Sequence, residues 1–232
     1  TLKSIQKVLT TRLEKYNLPS VVNMASTEED GLNLYRIGKE KTAIFCVTPV
    51  ADTSFNFIIS MLYSQLFEIL YNQGNENHGR LDVPVHFLMD EAANISLPND
   101  FEQRLATMRK YDIFCSIILQ NISQLKAIYP KSYESIIGLC DEFLFLNGNE
   151  KETHKYVSEL MGKQTILLNT YGESKGRSGS YSKNTQQTGR ALMTPEEVRQ
   201  IDGALLFIRG ENVIQDEKFD LLSHPNYIGK SQ

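Results

Sequence analysis

Two adjacent carboxylates, Asp90 and Glu91, close the apolar run Val83-Pro84-Val85-His86-Phe87-Leu88-Met89. So short and apolar a run, following the polar stretch 72–82, predicts a buried interior strand of a parallel sheet. Ligands of open α/β sheets bind at the carboxyl ends of such strands, where both acids fall. One acid there can hold magnesium while its neighbour polarises a water, the Walker B arrangement of nucleoside triphosphate hydrolysis. The same residues also fit a plain strand leading into a helix whose first turn carries Asp-Glu to complement the helix dipole. From these nine residues both readings stand.

Few other residues offer chemistry by spacing alone. Cys46, Cys115 and Cys140 form no CxxC pair and each lies in or beside an apolar run. They read as buried, reduced thiols of a cytoplasmic protein with no disulfides. His78, His86, His154 and His224 make no HxxxH or HExxH motif, so a cage of protein metal ligands is not expected. A net charge of -4 gives no global reason to bind nucleic acid, so any DNA contact must be local. No apolar run is long enough to span a membrane, and the opening residues carry no signal-peptide pattern.

The elements that must position the acids follow from hydrophobic periodicity. Leu2, Ile5, Val8, Leu9 and Leu13 predict an amphipathic helix, with a second short one over 21–25. Strands are expected at Leu32–Arg36 and Thr42–Thr48, and a helix apolar on most faces over Phe55–Tyr71. Beyond the acids come a helix over Phe101–Lys110, a strand Asp112–Leu119 ending at Gln120, and short helices over 124–128 and 132–139. Then follow a strand Glu142–Leu146 closed by Asn147, a helix Glu152–Met161 stopped by Gly162, and a strand Gln164–Thr170. The polar residues 172–189 have little to bury and read as a mobile loop or a long hairpin. Thr194-Pro195-Glu196-Glu197 has the form of a capped helix start, and strands return at Ala204–Ile208 and Val213–Gln215. This alternation predicts a three-layer α/β fold with a mostly parallel sheet, whose edge gathers Thr48, Asp90, Glu91, Gln120 and Asn147.

Several motifs share one resemblance. Phe87-Leu88-Met89-Asp90-Glu91 through Arg109 to Ile118-Leu119-Gln120-Asn121-Ile122-Ser123-Gln124-Leu125 resembles the type IV secretion coupling proteins, the TraG/TraD family of conjugation ATPases. Gly38-Lys39-Glu40-Lys41-Thr42-Ala43-Ile44-Phe45, Ser158–Lys163 and Arg190-Ala191-Leu192-Met193-Thr194-Pro195-Glu196-Glu197-Val198 resemble further family segments in the same order. The resemblance implies a RecA-like P-loop NTPase core, with residues 1–30 a helical remnant of an all-α insertion and 31–232 the carboxyl-terminal part of the nucleotide-binding domain. It implies ATP and magnesium as cofactors. Asp90 would bind magnesium through water, Glu91 would polarise the attacking water, Gln120 would sense the γ-phosphate, and Arg109 would reach a neighbouring subunit's nucleotide as an arginine finger. It further implies a homo-hexamer at the cytoplasmic face of the cell membrane, working with DNA, relaxase and relaxosome proteins and the type IV secretion channel.

One part of the pattern is missing. A phosphate-binding loop needs G-x-x-x-x-G-K-[ST], and the only GKS, Gly229-Lys230-Ser231, has His224 in place of the first glycine. The family carries that loop upstream, so this chain reads as a carboxyl-terminal piece that by itself should neither hold ATP tightly nor hydrolyse it. An α/β docking platform that recruits relaxosome or effector proteins without hydrolysis is the alternative. Lys175, Arg177, Lys183 and Arg190 in the polar segment could touch DNA phosphates, although such segments are more often only mobile.

Overall fold

The computed structural model describes residues 2–17, 19–25, 32–47, 56–95, 97–174 and 180–227. By its internal contacts the chain divides into two units, Thr1–Ile118 and Leu119–Gln232.

The first unit contains helices α1 (Leu2–Leu13), α2 (Pro19–Ala25), α3 (Asn56–Glu76) and α4 (Phe101–Met108). Its strands β1 (Val85–Met89) and β2 (Ile113–Ile117) pair in parallel, Val85 opposite Ile113 and Met89 opposite Ile117. Aromatic rings hold α3 to this pair. Phe67 lies 4.9 Å from Phe87 and 6.3 Å from Phe101, all three being buried. Gly74 lets the end of α3 close on Tyr111, since a Cβ there would meet the ring at 2.4 Å. Tyr71 adds a hydroxyl bond to the Arg104 carbonyl, at 2.6 Å, fastening α3 to α4.

The second unit contains α5 (Ile122–Ile128), α6 (Tyr133–Leu139), β3 (Glu142–Phe145), α7 (Lys151–Met161), β4 (Lys163–Ser174), β5 (Ser180–Ala191), α8 (Pro195–Arg199), β6 (Ala204–Ile208) and β7 (Ile214–Asp216). Strands β3, β6 and β7 form an antiparallel sheet in that order. Gly203 is required where β6 begins, because its φ is +136° and a Cβ would lie 2.5 Å from the Asp216 carbonyl oxygen. The core beneath comprises Phe145, Val157, Val198, Ile201 and Leu205. Thr194 and Glu197 form the expected reciprocal cap on α8, with Pro195 at its first position.

Several expectations are corrected. The parallel pairing expected of the α/β core is present in β1–β2, and the other described strand pairs are antiparallel. Residues Leu34–Arg36 form a 3-10 turn capped by Asn33, not a strand. Residues 42–47 are β-rich in composition but unpaired, with Phe45 89% and Val47 93% exposed. Strand propensity reports fit to a pleated, half-buried surface, and among the described residues no strand pairs with this run. The acid-bearing strand is buried on one face only, where Phe87 and Met89 are enclosed while Leu88 is 69% exposed. On β2, Phe114 is likewise exposed. The apolar stripe of α1 is open to solvent at Ile5, Val8 and Leu9. Cys46 is exposed and Cys115 and Cys140 only partly covered, so the cysteines are not the buried set expected. Of the two readings for 172–189, the hairpin is found, since β4 and β5 pair from Lys163–Ala191 to Ser174–Ser180. Thr48, the expected connector at 26–31, residues 175–179 with Lys175 and Arg177, and Gly229-Lys230-Ser231 lie outside the described residues.

Candidate functional site

The acid pair stands where two strand ends are stitched together. The Ile118 amide donates to the Met89 carbonyl at 3.0 Å, and the Ala92 amide donates back to the Ile118 carbonyl at 2.9 Å. Met89 and Ala92 are both buried, so the chain on either side of the acids is anchored and the acids project from a fixed base. Asp90 is exposed and Glu91 half-buried. Glu91 has φ 49° and ψ 53°, the left-handed region, and it opens the 3-10 turn Ala92–Asn94. A glutamate gains nothing locally from this conformation, which costs about 1–2 kcal/mol in a residue with a Cβ.

Asn94 explains where the carboxylate goes. Its Nδ2 donates to Glu91 Oε2 at 2.9 Å, and its amide donates to the Glu91 carbonyl at 2.8 Å. The turn holds both the backbone and the side chain of the acid. Asn94 was not singled out in the sequence. Its signal was the polar residue three positions after Glu91, the spacing at which a short helical turn brings side chains together.

Arg109 lies at the other end of the strands. It is the exposed residue that ends α4, and its carbonyl accepts from the Asp112 amide at 3.3 Å. The Asp112 carbonyl in turn accepts from Val85, the first residue of β1. The acids follow the last residue of β1, so a five-residue strand, about 17 Å long, separates the two ends. Within the unit, Asp90 and Glu91 are brought together and Arg109 is placed away from them. Nearby Arg104 is committed, its Nη2 lying 2.8 Å from Asp100 and its guanidinium 5.7 Å from the Phe67 ring centre. That guanidinium holds the Asp100 carboxyl below the usual carboxylate range, by hydrogen bond first.

Gln120 belongs to the second unit, where a linked set of caps holds it. Its amide donates to Gln124 Oε1 at 3.1 Å, while Asn121 caps α5 by accepting from the Gln124 amide at 3.0 Å. The start of α5 is clasped to that of α7. The Ile122 amide donates to Thr153 Oγ1 at 3.1 Å, and Ser123 Oγ donates to Glu150 Oε1 at 2.7 Å. Glu150 also caps α7, accepting from the Thr153 amide at 2.7 Å. Burial alone would raise the Glu150 carboxyl, but the bonds from Thr153 and Ser123 outweigh it and hold the carboxyl below its ordinary value. The clasp that Glu150 and Thr153 make on α5 escaped the sequence reading because Ile122 and Ser123 are some thirty positions away.

Asn147, the remaining described strand end, is occupied structurally. Its Nδ2 donates to the Ile201 carbonyl at 2.8 Å and its Oδ1 accepts from the Gly148 amide at 2.6 Å. Buried His154 donates from Nε2 to the Gly148 carbonyl at 2.7 Å, closing the same turn.

Among the described residues no three His, Cys, Asp or Glu side chains gather to hold a metal. The donor set at Asp90 nevertheless fits magnesium, which keeps several waters and takes one or two protein carboxylates together with substrate phosphates. No described helix is long and apolar enough to cross a membrane.

Comparison with known proteins matches the chain to one group. The chain is 24% identical over 206 residues to the protein VirD4 of Rhizobium radiobacter, covering 86% of this chain and 29% of that protein. It is 25% identical over 206 residues to the conjugal transfer protein TraG of Escherichia coli, covering 82% of this chain and 32% of that protein. Among solved structures it matches the bacterial conjugative coupling protein TrwB with a TM-score of 0.52 and 16% identity, over 69% of this chain and 37% of TrwB. TrwB bound to ADP and magnesium matches with a TM-score of 0.51 and 14% identity, over 72% of this chain and 40% of TrwB. The chain thus spans about a third of the length of these relatives, and its fold is that of part of the conjugative coupling protein TrwB. The family model for type IV secretory system conjugative DNA transfer matches residues 1–227, and the chain belongs to that family.

Proposed function

We propose that this chain forms part of a conjugative coupling ATPase and contributes the water-activating half of its nucleotide site. The observation that carries this reading is Glu91, an acid kept in a strained left-handed turn at a stitched strand end with its carboxylate aimed by Asn94. Magnesium, when bound, would neutralise phosphate charge, and Asp90 is the residue to hold it. Glu91 orients the attacking water and accepts its proton. Gln120 contacts the γ-phosphate from its capped position before α5. The reading draws support from the TrwB structures solved with ADP and magnesium and with non-hydrolysable ATP and GTP analogues.

Arg109 serves a neighbouring subunit's nucleotide. Its place at the far end of β1 suits action between copies and not on the acids of its own unit. The assembly is a homo-hexamer on the cytoplasmic face of the membrane, passing DNA with relaxase and relaxosome proteins to a type IV secretion channel.

In a protein that joins this chain to its phosphate-binding loop, Glu91→Gln should lower ATP turnover by about 10²–10⁴-fold, the range of a general base, with nucleotide binding retained. Steady-state hydrolysis and nucleotide titration measure the two, and unchanged turnover would overturn the assignment. Mixing Arg109→Ala subunits with Glu91→Gln subunits should restore part of the activity, because each supplies what the other lacks. Mixed assemblies as inactive as the separate ones would refute the arginine finger.

A further inference from the structure

The β4–β5 hairpin stands apart in charge and in packing. Each strand has 12 residues, which at about 3.4 Å per residue makes a ribbon about 40 Å long. Residues 163–165, 167–170 and 184–190 are all exposed, so both faces of the ribbon are open over its described side chains. Between 163 and 191 the sequence has five basic residues (Lys163, Lys175, Arg177, Lys183 and Arg190) and one acid, Glu173. The remainder of the chain has 19 basic and 27 acidic residues, so the ribbon is a cationic arm on an anionic protein.

The register sorts these charges. Directly paired residues share a face, which puts Lys163, Thr165, Leu167, Asn169 and Tyr171 with Ala191, Gly189, Gln187, Thr185 and Lys183 on one side. Arg190, on the other side, is already paired with Glu197 at 2.6 Å. On the Lys163 face, Thr185 Oγ1 donates to Asn169 Oδ1 at 2.8 Å, joining the strands. A Cβ added at Gly189 would lie 3.8 Å from Lys163 Cδ, so the lysine stem lies across the strand where no side chain rises. Lys163 and Lys183 are eight register steps apart, about 27 Å. Between them lie hydroxyl and amide groups, the side chains that commonly join lysine in binding phosphate and sugar oxygens.

We propose that the β4–β5 ribbon is a nucleic-acid contact, with the face bearing Lys163 and Lys183 laid along the phosphate backbone. A two-stranded ribbon fits the roughly 12 Å major groove of duplex DNA, and cations carried on such a ribbon bind phosphates by releasing counterions. The choice of nucleic acid as the occupant rests on the DNA-transfer reading above, whereas the placement rests on charge, strand register and the exposure of residues 163–165, 167–170 and 184–190.

The test measures anisotropy of labelled duplex and single-stranded DNA longer than the ribbon, without nucleotide and at several salt concentrations. The double change Lys163→Glu/Lys183→Glu should weaken binding by about tenfold or more and lower the salt slope by about 0.9 for each lost phosphate contact. The control Lys131→Glu/Lys218→Glu, equal in charge and at exposed positions, should change it far less. Lys163→Gln/Lys183→Gln, checked by circular dichroism, separates loss of charge from loss of fold. No binding by the unmodified protein, equal loss in ribbon and control variants, or unchanged affinity in both ribbon variants overturns the proposal. Unchanged DNA affinity with loss of self-association would instead assign the ribbon to contacts between copies. Because nucleotide is absent, Glu91→Gln should leave this binding intact, so failure of the hydrolysis reading and failure of the ribbon reading are distinguishable.

Discussion

Glu91 after β1 and Asn147 after β3 turn the chain with the same backbone sign, φ 49° and φ 72°. Their surroundings differ. Asn147 is of a residue type that tolerates the left-handed region, and both ends of its amide are spent on the backbone, at Ile201 and Gly148. Glu91 has no such aptitude, and its carboxylate is steered by another side chain, Asn94. One polar strand end is therefore a joint of the fold. At the other, the fold holds an acid in place despite a local cost, as happens at functional sites.

This contrast can be broken by exchanging the roles. If it holds, Glu91→Gln removes turnover and barely moves the unfolding midpoint, while Asn147→Ala leaves turnover per folded molecule unchanged. The reverse pattern in paired hydrolysis and urea-unfolding measurements would refute it. Asn147→Ala should also cost about 2–4 kcal/mol, because alanine is strained at positive φ and the Ile201 carbonyl loses its donor. A loss below about 1 kcal/mol in denaturant would show that the turn does not depend on the amide. The smallest effect is expected for Glu91→Gly. Relief of the left-handed strain is offset by the lost Asn94 bond and the freer unfolded chain, so stability should change by about 1 kcal/mol or less. A larger loss would show that the Glu91 side chain supports the fold.

Much of this was legible in the sequence because it is local. The capped start of α8 at Thr194-Pro195-Glu196-Glu197 lies within four residues, and its signature survives in any context. The run ending at Asp90 and Glu91 announced a strand through its own composition. Residues 42–47 show the limit of such reasoning, since a β-rich run becomes a strand only beside a partner. The polar hairpin was ambiguous because nothing in its composition indicates burial, and its register emerges only from pairing twelve residues against twelve.

The sequence by itself determined the order of the elements outside residues 32–47 and the β4–β5 hairpin, the acids at the end of β1, and the family motifs that run through Gln120. These depend on residue type and near-neighbour spacing, which the chain carries wherever it goes. Tertiary structure alone decided that Glu91 turns left-handed, that Asn94 aims it, that Arg109 stands at the opposite end of its strand, and that Glu150 and Thr153 clasp the start of α5. Each of these depends on hydrogen bonds or strand pairing that set the site's geometry, several of them between residues far apart in the chain, and residue spacing alone does not specify them.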